Sequence, residues 1–321
     1  EHVIAKIQKG SKCYLYFDKN TKIVNTVLGA IEVILREPDF SKTSCSNGCG
    51  ENTTGIFEET TSEGTTFFYR GDVDNNWVYF AGFYWRIIRI NEDGTVRMIY
   101  NGTTTDQTGT TTQIKTASFN SNNDRAEYVG LKYTEGSQHG TETDSTIMTE
   151  LNIWYSNNLA SYADSIDTNA GFCGDRNIVE GVWNSQADHE LRHTGYARLI
   201  MTRTPSLECS SEDLFTATNA SKGNKSLINP IGLITVDEIM YAGGIYNLGN
   251  TNYYLYTGQI YWTMTPTWWN SSTAYVFIMN NNGAMNGGNV INSFAIRPVI
   301  NLRADVKFTG TGASTDPFKV S

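Results

Sequence analysis

The chain has 321 residues, 39% of them hydrophobic and 18% charged, with 29 Gly, 18 Tyr, 14 Phe and 7 Trp but only 6 Pro. That length allows a sizeable core in one large domain with an appended segment, and the composition excludes a disordered or coiled-coil chain in favour of a loop-rich, β-leaning one. With 24 Lys and Arg against 33 Asp and Glu, a formal charge of −9 and no basic run, nothing would neutralise a phosphate backbone, so no nucleic acid is expected as a partner.

No stretch of about 18 apolar residues occurs, and Glu1-His2-Val3-Ile4 lacks the basic and apolar regions of a signal peptide, so the chain is expected to be a soluble piece whose membrane or wall attachment lies in other segments. The cysteines stand at 13, 45, 49, 173 and 209, without the paired spacing of a zinc cage. In a chain with 31 Asn, disulfides of an exported protein are the better reading. Cys173 and Cys209 flank a loop-rich insertion and are expected to be bridged, with Cys45 and Cys49 closing a small loop and Cys13 free.

In chain order, Ile23, Val24, Val27, Leu28, Ile31, Ile34 and Leu35 fall at helical spacing up to Pro38, which predicts an amphipathic N-terminal helix. Residues 39–65 turn to Ser, Thr, Gly, Asn and Glu and read as a linker. The expected division is therefore an N-terminal helical segment and linker over 1–64 and a main domain over 65–321. Phe67–Arg70, Trp77–Phe80, Phe83–Ile90 and Thr95–Tyr100, broken by Asn/Asp/Gly turns, predict a β-meander. Long surface loops follow over 101–142. Asp144 or Ser145 caps a helix carrying Ile147, Leu151, Trp154, Tyr155 and Leu159. Thr235-Val-Asp-Glu238 is a capping box opening a second helix that Gly243-Gly244 closes. Strands are expected at Tyr253–Tyr256, Tyr261–Met264, Ala274–Met279 and Ala295–Leu302.

His189-Glu190-Leu191-Arg192-His193 matches the pattern in which two histidines one helical turn apart bind zinc and the glutamate activates its water. Tyr196 stands where the longer form of that motif needs glycine, and no helical stripe surrounds it, so coincidence is the stronger reading and no metal or other cofactor is expected. Arg70-Gly71-Asp72 sits at a strand end and reads as a turn. Asp72, Asp74 and Asn76 open like a calcium loop, but Trp77 and Phe83 replace its glycine and closing glutamate. No phosphate loop or nucleophile elbow occurs, so no enzyme is expected.

The segment from Tyr261 to Leu302 is the most unusual, with the adjacent pair Trp268-Trp269 and seven asparagines between 270 and 293. Large aromatics beside short polar side chains give rigid contact area with hydrogen bonding at low entropic cost. The competing reading makes the tryptophans core and the asparagines turn formers.

Phe80–Tyr100 taken with Tyr261-Trp-Thr-Met-Thr-Pro266 and Ala295-Ile-Arg-Pro-Val-Ile-Asn-Leu302 resembles surface proteins of gut Firmicutes with a C-type-lectin-like fold similar to that of formylglycine-generating enzymes. Phe172-Cys-Gly-Asp-Arg176, Tyr196-Ala-Arg-Leu199, Pro205–Cys209 and Pro230–Glu238 fit the same pattern, so the resemblance spans roughly 65–321. It implies an α+β fold with long loops, here preceded by an N-terminal helical segment. The enzyme chemistry does not carry over, because the C-terminal third lacks the redox cysteines. The Trp-rich motif, Asn-dense stretch and closing Ile-Arg-Pro-Val strand also resemble the variable region of a diversity-generating retroelement, in which adenine-directed mutagenesis rewrites Asn codons to vary ligand binding.

These resemblances imply a surface-displayed receptor or adhesin with an unknown protein or glycan ligand; the alternatives are a zinc hydrolase on His189, Glu190 and His193, or a pilus-like structural subunit. In this reading Phe83–Ile90 pairs with Ala295–Leu302, and 267–293 loops out between the framework strands. Alternation sets Tyr275, Phe277 and Met279 against Val276 and Ile278, one set exposed and the other buried. The expected ligand-facing set is Thr267, Trp268, Trp269, Asn270, Ser271, Tyr275, Phe277, Met279, Asn281, Met285, Asn286, Asn289 and Asn292.

Overall fold

The structure is a computed structural model that describes residues 21–22, 33–34, 38, 40, 54–218 and 222–320. Among the described residues strand outweighs helix, 35% against 16%, so two large sheets carry this mixed α and β fold. The meander forms as the aromatic and β-branched runs predict. Phe83–Ile90 pairs antiparallel with Trp77–Phe80 and Gly64–Arg70 along one edge and with Val96–Tyr100 along the other. Val96–Tyr100 in turn takes Val299–Leu302. The expected direct pairing of Phe83–Ile90 with 295–302 is therefore corrected: Val96–Tyr100 stands between them.

The second sheet runs Ile178–Glu180, Glu190–His193, Tyr261–Asn270, Ala274–Met279, Ala284–Asn289 and Ile245–Tyr246. Phe294–Ile296 adds to it through Tyr261 and Lys115–Ala117. The expected single strand Ala295–Leu302 is thus two, one in each sheet, divided at Arg297-Pro298. Pro lacks the donor a ladder needs, while buried Arg297 donates to the Tyr100 and Leu255 carbonyls and to Asn101 Oδ1. That break hands the chain from one sheet to the other.

Among the described residues, three α-helices pack against these sheets, besides short 3-10 turns. Helix α1 (Thr146–Asn158) is capped by Ser145, whose Oγ accepts from Met148 N at 3.3 Å, and buries Ile147, Met148, Leu151 and Tyr155. Asp144 is left to pair with Lys132. Helix α2 (Thr194–Tyr196) continues as a π-helical stretch over Ala197–Thr202. Helix α3 (Val236–Ala242) opens on the capping box, with Thr235 Oγ1 accepting from Glu238 N and Glu238 Oε2 accepting from Thr235 N. Gly243 closes it at φ 123°, a conformation that favours glycine.

Several expectations are corrected. Val33–Ile34, placed within the N-terminal helical segment, is a strand parallel to Ile56–Phe57. Thr21–Lys22 pairs with Lys307–Phe308. Gly55–Thr61, assigned to the linker on composition, is a full strand paired with Gly64–Arg70, so the main sheet begins before the expected boundary at 65 and the hairpin crosses it. Its Ile56 and Phe57 are buried, and those two apolar residues outweigh the polar run around them. Tyr253–Tyr256 is a turn whose Tyr253 and Tyr254 are buried. Tyr196–Leu199, a strand in the pattern that the resemblance implies, is helical.

The disulfide Cys173–Cys209 is present, with Cα atoms 5.7 Å apart, as the flanking positions predict. Cys13, Cys45 and Cys49 lie outside the described residues. Among those described, no helix is long and apolar enough to cross a membrane.

Candidate functional site

The segment 267–293 does not loop out. It forms the centre of the second sheet as an antiparallel run of Tyr261–Asn270, Ala274–Met279 and Ala284–Asn289. Over 276–279 neither face of its middle strand is free, because successive side chains point to opposite faces and Val276, Phe277, Ile278 and Met279 are all buried. Phe277 packs edge-on against Tyr246 at 6.4 Å, Tyr253 Oη donates to Met279 Sδ at 3.2 Å, and Ile278 lies against Gly288. Tyr246 and Tyr253 cover what alternation alone would leave to solvent. Thr267, Trp269, Phe277, Met279 and Met285 are therefore removed from the ligand-facing set, each at most 2% exposed. Trp269 Nε1 donates to the Ala187 carbonyl at 2.9 Å and fixes its ring inside.

The asparagines divide. Asn270 Oδ1 accepts from Ser272 N, Ser272 Oγ and Thr273 N; Asn282 Oδ1 accepts from Ala284 N; Asn289 Oδ1 accepts from Asn123 Nδ2 and Ile291 N. These are turn formers, as the competing reading has it. Asn281 and Asn292 are exposed, but at opposite ends of the sheet, in the turns after Met279 and Asn289. Asn286 is half-buried and by alternation shares the face of Gly288, away from Gly287.

What the fold does bring together is one aromatic face. Trp268 and Tyr275 are cross-strand partners, both half-exposed, and their rings stack with centroids 4.8 Å apart and 23° between planes. The Trp268 ring lies across the sheet onto Gly287, where a Cβ would come within 2.6 Å of it. A glycine inside a strand often marks such a close approach. Tyr196, at the end of α2, meets Trp268 edge-on at 6.2 Å, and Tyr246 flanks Phe277 on the far side. Burial, helped by Tyr196 nearby, raises the Tyr246 hydroxyl above its ordinary pKa, so it stays a neutral donor. Arg192 pairs with Trp268 across the next strand and stands 4.8 Å over the Tyr196 ring, held by Glu180 at 2.9 Å and Glu190 at 3.1 Å. Asn270 and Ser271 border the same end, where Asn270 Nδ2 reaches Tyr275 Oη at 3.4 Å.

Trp268, Asn270, Ser271, Tyr275 and Asn289 of the expected set thus share one end of the sheet. Tyr196, Arg192 and Gly287 join them without having been singled out in that set, while Tyr246 lies farther along the sheet, level with Met285. Asn-Gly-Gly-Asn over 286–289 was the legible signal for Gly287; the others come from segments far away in sequence.

The zinc motif is taken apart by the same sheet. Glu190–His193 is a strand, so its histidines are not one helical turn apart but separated by about 13 Å of extended backbone at strand rise. His189 is exposed beside Asp188, while His193 is fully buried with Nδ1 3.1 Å from the Arg176 carbonyl. Burial pushes the His193 imidazole down to a pKa of about 4, so it is neutral at pH 7. Among the described residues no three His, Cys, Asp or Glu side chains converge as metal ligands. Arg70 of the Arg-Gly-Asp tripeptide is buried and donates to the Met240 and Tyr241 carbonyls, which is the turn reading. Asp74 accepts from Trp77 Nε1 and Asn76 Oδ1 from Arg86 Nε, so neither is poised for calcium.

No family model, curated protein or solved structure matches the chain.

Proposed function

We propose that this is a surface-displayed binding protein of C-type-lectin-like fold, with no catalytic role, whose ligand docks on the aromatic face around Trp268 and Tyr275. The observation that carries this is the stacked, half-exposed Trp268–Tyr275 pair, framed by Tyr196 and Arg192. Exposed aromatics and arginine supply most of the energy at recognition surfaces, where truncating one central anchor costs about 2 kcal/mol or more. A rigid two-sheet frame beneath such side chains keeps the ordering cost of binding low. The ligand is an extracellular protein or glycan, and diversification by a retroelement remains part of this reading.

Arrays of extracellular proteins and glycans probed with the wild type and with Trp268→Ala test the face: ligands that the wild type retains should be lost by the variant while its melting temperature holds. Gly287→Ala makes the second arm, since its methyl group displaces the Trp268 ring from the sheet and should weaken the same ligands. Retention of every ligand by both variants would move the site elsewhere. The retroelement is tested in the genome: a near-identical repeat of the codons for 262–302, differing only at adenines, should lie beside a reverse transcriptase gene.

A further inference from the structure

A cleft of ≈ 440 Å³ opens on another part of the molecule and shares no residue with the aromatic face. The hairpin turn at Thr61–Glu63, the turn at Asn91–Asp93, the loop 169–171 and the disulfide-bonded segment Leu207–Cys209 wall it. Its lining is rich in acceptors. Glu63, Glu92, Asp93 and Glu208 face only two cations, Arg89 and Lys222. Both cations are already engaged, Lys222 with Glu63 at 2.6 Å and Arg89 with Glu92 at 3.6 Å and Glu238 at 3.3 Å.

An independent feature points the same way. Asn91 lines the cleft and is only 8% exposed; its Nδ2 donates to Thr95 Oγ1 and Asn301 Oδ1, but its Oδ1 is buried without a donor. A buried acceptor left without a donor is costly. A smaller recess shares Cys209 and Glu208 with the cleft; in it Asp175, Asp237 and Glu238 are matched by Arg89, Arg97 and Arg198, so the surplus of carboxylates belongs to the outer cleft.

We propose that this cleft is a second ligand site and that it takes a small organic cation, a primary amine or guanidinium compound. The volume falls in the range of small-molecule sites and exceeds the needs of a bare ion, and among the described residues no set of metal ligands is present. The surplus groups of the wall are acceptors and net negative, which calls for a ligand of charged N–H donors. Such hydrogen bonds are about twice as strong as neutral ones. An amine seated beside Asn91 meets its Oδ1 once that buried side chain turns toward the cleft, and a second nitrogen can reach the remaining lone pairs of Glu208, whose two oxygens also accept from Ser62 N and Oγ.

The test is calorimetric titration of the whole chain with spermidine, with arginine amide and with the neutral polyol glucose, at low and high salt. Both amines should bind, more weakly at high salt, and glucose should not. Glu208→Gln alone, and with Glu63→Gln, touches only partly exposed side chains and should weaken amine binding about tenfold or more, while Trp268→Ala leaves it unchanged. Amide chemical shifts should move at Asn91 and Glu92 when spermidine is added. Absence of amine binding, glucose binding as tight as the amines, unchanged affinity in both glutamine variants, or shift changes confined to other surfaces would each overturn the proposal.

Discussion

Two aromatic residues two positions apart in one strand illustrate how burial decides a role. Tyr275 is half-exposed and stacks on Trp268, whereas Phe277 is buried beneath Tyr246. Phe277→Ala should cost about 3–5 kcal/mol, the range for emptying a filled aromatic site, read as a lower denaturant midpoint. Trp268→Ala should change that midpoint little and act on binding instead. His193 sets a pH dependence by its burial. Its folded pKa of about 4 lies below the ordinary 6.5, so as pH falls from 6.5 toward 4 the unfolded chain takes a proton that the folded chain refuses. Stability from this residue is full above 6.5 and falls by at most about 3 kcal/mol by pH 4. His139 has the opposite sign: the hydrogen bond to Asp213 raises its pKa, so its contribution is full below 6.5 and lost as pH rises through the folded value. Urea melts at pH 4, 5, 6 and 7 should show the acid loss in the wild type and a flatter profile in His193→Gln.

Helix α3 is seven residues long, too short to persist through propensity alone. Its capping glutamate is therefore held from outside the helix. Glu238 pairs with Arg97 and Arg89, and although burial alone would raise its pKa, those guanidinium groups hold the carboxyl below its ordinary value. The helix start is thus tied to the first sheet through Arg97 of Val96–Tyr100. Ordinary loss of an N-terminal cap costs about 1 kcal/mol, but Glu238→Ala also strands a buried guanidinium and should cost about 3–5 kcal/mol. Thr235→Ala, which leaves the ion pair, should stay near the smaller figure. Thermal melts of the two variants separate the capping contribution from the pairing.

At the scale of the whole molecule, the disulfide joins the short strand Phe172–Cys173 to the segment that follows α2. With its cysteines 36 positions apart in sequence, the chain-entropy model assigns it roughly 3–4 kcal/mol. From the same region Asp175 and Asp237 both hold Arg198 of the π-helical stretch after Tyr196. Reduction should therefore lower the denaturant midpoint by that amount and loosen Tyr196 against Trp268. Tryptophan fluorescence with and without reductant, below the unfolding transition, should report the second effect separately from the first.

The short-range signals in the sequence determined what short-range physics controls. The capping box at Thr235–Glu238, the Ser145 cap, the aromatic strands of the meander and the turn at Arg70-Gly71-Asp72 all form as their residue types dictate, because backbone donors and left-handed turns are satisfied within a few positions. The flanking cysteines also gave the bridge between 173 and 209. Exposure in 267–293 was decided only in three dimensions. Alternation separates two faces of a strand but does not say whether a helix or a distant loop covers either, and here Tyr246 and Tyr253 cover Phe277 and Met279 while Gly287 leaves room for Trp268. Val33–Ile34 likewise took its conformation from Ile56–Phe57 rather than from its own helical spacing. Glu190–His193 became a strand because Trp268–Asn270 offered it a ladder, and a hydrogen-bonded neighbour more than seventy residues away overrides a local pattern that nothing else supports.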